Sequence, residues 1–157
     1  MNDLLLARYT VETLLYRYAL VLDNGPLEHW PRSFTEDGRY RLIPRENFAQ
    51  GLPAALMLCT SRAMMEDRVT AIEKASVFTP HTIRHLYTNV LVDEAQAGRA
   101  VARANYAVYR SVQSGETDLL SVGWLEARVR LEPTPLFESM DVIYETCRIP
   151  GLVVYPL

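Results

Sequence analysis

The order of its periodicities constrains this chain more than any single motif. Helical spacing fills the first half and strand alternation fills the second, with little mixing. Over residues 3–23, Val11, Leu14, Leu15, Tyr18 and Leu22 recur at spacings of three and four, which places them on one face of a helix. Arg8, Glu12 and Arg17 bracket a more polar side. Asn24-Gly25 supplies a stop signal and Pro26 opens the next element. Residues 27–34 read as a short second helix whose length Pro31 limits. Asp37-Gly38 reads as a turn, followed by a strand over 39–43 that Pro44 stops. The apolar run 54–60 is too short for spacing to decide between a buried strand and the start of a helix. Ser61 can cap a helix over 62–75, on which Met65, Val69 and Ile72 share a face. Four strands follow, at 82–93, 99–112, 118–131 and 137–149, rich in Val, Ile, Leu, Tyr and Thr. Ala97-Gly98 and Ser114-Gly115 stand where hairpin turns belong, and Glu132-Pro133-Thr134-Pro135 is a longer break.

Four strands joined in sequence predict an antiparallel meander, and helices ahead of a sheet predict the α+β class. With 157 residues, 49% of them apolar, the chain can bury the core of one domain spanning 1–157. A long helix closing one face of a curved sheet leaves a conical cavity. The expected fold is therefore α+β and cystatin-like (nuclear transport factor 2-like): a cone with N-terminal helices packed on a curved, mainly antiparallel sheet. Such a fold hosts isomerases, dehydratases and binding proteins alike, so it does not fix function.

Composition removes several classes. A net charge of −3 argues against a nucleic-acid binder driven by phosphate contacts. The N-terminus lacks a basic n-region, and no apolar run nears the roughly 18–20 residues of a membrane span. The expected location is the cytoplasm, with no membrane partner. Two cysteines, Cys59 and Cys147, lie in apolar surroundings and read as buried thiols. Fifteen arginines stand against one lysine, Lys74. That bias reflects either codon usage or a surface built for planar, bidentate ion pairs with another subunit.

Few residues are positioned for chemistry. His81 and His85, four apart on a strand, stand roughly 13 Å from one another and could not share a metal. An acid–base site inside the cone would draw on Asp23, His85, Tyr106 and Asp141. The competing reading has Asp141 paired with an arginine across the sheet, Arg128 or Arg130. No G-x-S-x-G elbow and no phosphate-cradling glycine loop occurs. Asp67-Arg68 and Arg84-His85 can make charge-assisted hydrogen bonds, within the chain or across an interface.

Certain stretches carry a family likeness: Trp30-Pro31, the run Tyr40-Arg41-Leu42-Ile43-Pro44-Arg45-Glu46-Asn47-Phe48, Gln50-Gly51-Leu52-Pro53, Ala63-Met64, Asp67-Arg68-Val69 and Arg84-His85. Together they resemble the small (β) subunits of aromatic-ring-hydroxylating, Rieske-type oxygenases. PRENF-x-QGLP and AM-x-x-DRV are most similar to members that hydroxylate salicylate. The resemblance implies the cystatin-like fold and a strand at 54–60. It implies a hetero-hexamer of three large and three small subunits. The large subunit would carry the Rieske 2Fe-2S cluster, the mononuclear non-heme iron and the substrate pocket, fed with electrons by a ferredoxin or reductase. This chain would then hold no catalytic, cofactor or metal residue. Trp30, Asp67, Arg68, Arg84 and His85 would serve structure or the subunit interface. The alternative is a stand-alone isomerase or dehydratase with an acid–base pair in the cone.

Overall fold

The computed structural model describes residues 3–74, 81–145 and 155–157. Helix α1, Asp3–Asn24, buries Ala7, Val11, Leu14, Leu15, Tyr18, Ala19 and Leu22, the stripe expected from spacing. It stops where Gly25 N–H donates to the Val21 carbonyl at 2.9 Å. The segment Leu27–Ser33 is a 3-10 helix. Pro31 lies inside it and has no N–H to donate, which disfavours a regular α-turn there. Strand β1, Phe34–Pro44, is longer than expected and swallows the anticipated turn. Five steps from Phe34 to Arg39 stand opposite two from Phe137 to Ser139, so Asp37-Gly38 forms a bulge inside the strand.

A short helix, α2 (Arg45–Ala49), follows Pro44 and was not foreseen. Within the ambiguous run 54–60 only β2, Met57–Cys59, is strand. Helix α3 is Arg62–Lys74. Then come β3 (His81–Gln96), β4 (Arg99–Val112), β5 (Thr117–Arg130) and β6 (Leu136–Tyr144). The ends of the anticipated third helix and last strand, Ala75 and 146–149, lie outside the described residues, as does Cys147. Ala97 and Gly98, both at positive φ (50° and 72°), close the β3–β4 hairpin with the backbone that matches strand twist.

The sheet has six strands in the order β2-β1-β6-β5-β4-β3. Strands β3 to β6 form the expected antiparallel meander. Strand β1 joins β6 in parallel, Arg41 opposite Asp141 and Ile43 opposite Ile143. Gly123 sits where β5 crowds β6: a side chain there would come within 2.0 Å of the Ile143 carbonyl oxygen.

The expected cone is not what forms. The sheet is open, with β2 and β3 as its two edges, and is neither closed nor strongly curled. Two causes are visible. Strand β2 is three residues long and pairs with β1 alone, so it offers too little edge to close a ring. The space a cone would enclose is also filled. Trp30, Tyr18, Tyr40, Phe34 and Phe137 are all fully buried on the inner face. Their rings meet edge-on, Trp30 on Tyr40 at 5.3 Å and Tyr18 on Phe137 at 5.6 Å. Helix α1 lies against β3, while α3 and the 3-10 helix cover β1. Helix α2 rests on β1 and β6, and its Phe48 meets the Trp124 ring of β5 at 6.2 Å.

Candidate functional site

Two of the four acid–base candidates come together. Asp23 is the last-but-one residue of α1, and His85 points inward from β3, two residues from Ile83 and Tyr87 on the same face. The Asp23 and His85 side chains are 2% and 0% exposed. His85 Nδ1 lies 2.6 Å from Asp23 Oδ1, and the His85 main-chain N–H donates to both carboxylate oxygens at 3.0 and 3.2 Å. A carboxylate only accepts, so Nδ1 is the donor of that pair. Arg84, mostly exposed, brings Nη1 to 3.6 Å from Asp23 Oδ2.

The carboxylate thus holds the imidazole in one orientation. His85 Nε2 then faces the interior without a hydrogen-bond partner, as does the Tyr87 hydroxyl. The two rings lie 6.2 Å apart. Burial pushes the Tyr87 phenol well above its ordinary range, with smaller contributions from Tyr40, Tyr106 and Asp23. A cleft of about 220 Å³ opens beside Asp23, walled by Leu22, Leu27, Ile83 and Tyr155. His85 is not part of its wall.

The other two candidates are elsewhere. Tyr106 Oη shares a 2.9 Å hydrogen bond with Ser121 Oγ, and burial raises its pKa. Asp141 points to the outer face and takes a bidentate grip from Arg41, both contacts 2.8 Å, with Arg39 at 3.5 Å. Asp141 is therefore paired across the sheet, but to the parallel neighbour β1 and not to Arg128 or Arg130 on β5.

Trp30 is fully buried and donates Nε1–H to Tyr18 Oη at 3.1 Å. Asp67 is exposed on α3, and Arg68 is half-buried with its Nε unpartnered. Spacing did not reveal the centre of the inner network, which is Leu157. Its N–H donates to Tyr40 Oη at 2.9 Å, and its carbonyl accepts from Tyr40 at 3.2 Å and Tyr18 at 3.4 Å. Tyr40 and Tyr18 are separated from Leu157 by 117 and 139 positions, so no local signal could have joined them.

The donors for a metal are scattered. His29 is on the surface 3.7 Å from Glu28, His85 is committed to Asp23, and Cys59 is a buried thiol whose pKa burial raises. Among the described residues no three His, Cys, Asp or Glu side chains could hold a metal ion, so they do not fit an iron site. Nor does any helix among them have the length and apolarity to cross a membrane.

An open α+β sheet with a filled aromatic interior, dispersed ligand types and large apolar residues left exposed on both helix and sheet is the build of an assembly component. The sequence comparisons give that class a family. A ring hydroxylating β subunit model matches residues 17–138. The small subunit of anthranilate 1,2-dioxygenase from Burkholderia cepacia is 32% identical over 150 residues, 95% of this chain and 93% of that one. Subunit β 1 of the terminal oxygenase component of terephthalate 1,2-dioxygenase from Comamonas sp. is 32% identical over 106 residues, 68% of this chain and 69% of that one. In three dimensions the chain matches the β subunit assigned to an aromatic-ring-hydroxylating dioxygenase of Novosphingobium aromaticivorans, with a TM-score of 0.88, 35% identity and 97% of each chain covered. This chain belongs to the β subunits of ring-hydroxylating oxygenases. Membership implies a large oxygenase subunit as its partner.

Proposed function

We propose that this chain is the non-catalytic small subunit of a cytoplasmic Rieske-type oxygenase that hydroxylates an aromatic acid, salicylate being the specific candidate. In this reading three copies join three large subunits. The Rieske cluster, the mononuclear iron and the substrate pocket belong to the large subunit, and a ferredoxin or reductase delivers the electrons. Trp30 and the Arg84–Asp23–His85 cluster contribute packing and hydrogen bonds within the subunit, and Asp67 and Arg68 serve its structure or the subunit interface. The observation that carries the reading is the family match over 17–138, in a chain whose interior is occupied by its own aromatic side chains. Anthranilate and terephthalate, named for two relatives, are both aromatic acids and support that substrate class.

Co-expression with the large subunit tests it. The two chains are expected to purify together at a three-to-three mass, and the complex to hydroxylate salicylate. A small subunit that stays separate while the large one hydroxylates normally would refute the reading.

One observation favours a second reading, a stand-alone acid–base enzyme: Asp23 orients His85 and leaves Nε2 free. That reading predicts turnover by the isolated chain, abolished in His85→Gln. The first predicts no turnover by this chain alone. Asp141→Ala separates structure from chemistry in the complex. Its loss leaves the Arg41 guanidinium half-buried without its carboxylate, so stability should fall by about 1.5–3 kcal/mol with hydroxylation rate unchanged.

A further inference from the structure

Helix α1 is apolar on two sides. Its inner stripe is core. On the opposite side Leu5, Tyr9, Tyr16 and Leu20 are 57%, 68%, 50% and 57% exposed. At 3.6 residues per turn these four lie within about 60° of one another and run roughly 22 Å along the helix. An isolated surface helix has no reason to carry a second such stripe, whereas a helix buried from both sides does. The four side chains expose on the order of 450 Å², near the upper range for a patch on a free monomer.

Two features say what covers it. A cleft of about 230 Å³ opens on one flank of the stripe, between α1 and the loop at Thr134-Pro135, and shares Tyr9 with it. Arg17 stands exposed on its wall and has no ion pair among the described residues. The stripe and cleft together ask for apolar side chains flanked by a carboxylate. A second copy of α1 offers one carboxylate within the stripe's length, Glu12, and Arg8 already holds it at 2.9 Å. Self-pairing would also bury only about half of the roughly 800 Å² per partner typical of a stable interface. The exposed apolar residues of the sheet, Leu86, Tyr109, Leu119 and Val122, sit in a different setting. Among the arginines there, Arg103 and Arg110 already hold Asp93 and Asp118.

We propose that the outer stripe of α1 is the seat of the large oxygenase subunit, which sets apolar side chains against Leu5, Tyr9, Tyr16 and Leu20 and a carboxylate against Arg17. This rests on the family reading and names the surface that reading leaves open.

The test is co-purification of the full complex with Tyr9→Glu, Tyr16→Glu and Arg17→Glu variants, each checked for an unchanged melting temperature. Wild type is expected to retain the large subunit. Either tyrosine variant should weaken its retention at least tenfold. Arg17→Glu should weaken it several-fold and flatten its dependence on salt. Retention of the large subunit within twofold of wild type by both tyrosine variants overturns the assignment. So does an isolated wild-type chain that dimerises in sedimentation and becomes monomeric in Tyr9→Glu, since the occupant is then a second copy. If wild type itself fails to bind the large subunit, the proposed function fails and the assignment fails with it, an outcome distinct from the other two.

Discussion

Replacing Asp23 with alanine is expected to lower the free energy of unfolding by about 3–5 kcal/mol, because it strands a buried polar cluster. The carboxylate is 2% exposed and answers three donors at once: the His85 main-chain N–H, His85 Nδ1 and, at longer range, Arg84. Alanine leaves the two buried donors without an acceptor. The pair also ties the end of α1 to the start of β3 across 62 positions, so its loss frees the helix that covers the sheet. Asp23→Asn keeps one acceptor for the main-chain N–H but turns an amide toward the ring, and should cost about 1–3 kcal/mol. For a chain of this size, the alanine variant should melt roughly 6–20 °C lower. Urea unfolding of the two variants beside wild type measures this. A loss below about 1 kcal/mol for alanine would mean that the pair contributes little and that water reaches it.

The legible and illegible parts of this molecule divide by range. The stripe Val11, Leu14, Leu15, Tyr18 and Leu22 and the hairpin at Ala97-Gly98 are local, and both stand where spacing and turn chemistry put them. The strand β1 was legible at Tyr40 to Ile43 but not at Asp37-Gly38. A bulge uses the same residues as a turn, and only the partner strand distinguishes them. The parallel pairing of β1 with β6 joins residues 100 positions apart, with no connecting turn to announce it. The same blindness put Asp141 opposite the wrong arginines, since the strand it pairs with was not in the local sequence. The cone failed for a related reason. Spacing alone places Tyr18 in the core, but whether the large rings leave a cavity or fill it depends on Tyr18, Trp30, Phe34, Tyr40 and Phe137 all meeting. The candidate site was half legible. Asp23 and His85 stand out by residue type, while Tyr87, two residues on and inward by simple alternation, carries no motif that marks it.

Trp30→Ala is expected to be as damaging as the loss of Asp23, by a different route. Trp30 is fully buried at the crossing of the 3-10 helix, α1 and β1, with its ring perpendicular to Tyr40 at 5.3 Å and to Phe34 at 6.1 Å. Truncation removes that packing and leaves a large cavity, a change that costs about 3–5 kcal/mol in well-packed cores. It also removes the donor to Tyr18 Oη, whose remaining bond to the Leu157 carbonyl is the longest in the network at 3.4 Å. Trp30→Phe separates the two contributions. It keeps most of the ring contacts and deletes the hydrogen bond, so it should cost about 1–2 kcal/mol. If phenylalanine costs as much as alanine, the N–H bond and not the packing holds this corner together. If both are nearly silent, the interior is loose enough to collapse around a missing indole, and a filled, rigid core would no longer explain why the sheet stays open. Because Tyr18 lies on α1 directly behind Tyr16, the alanine variant should also loosen the helix whose outer side we assign to the large subunit. Its retention of that subunit should fall with temperature before the isolated chain melts.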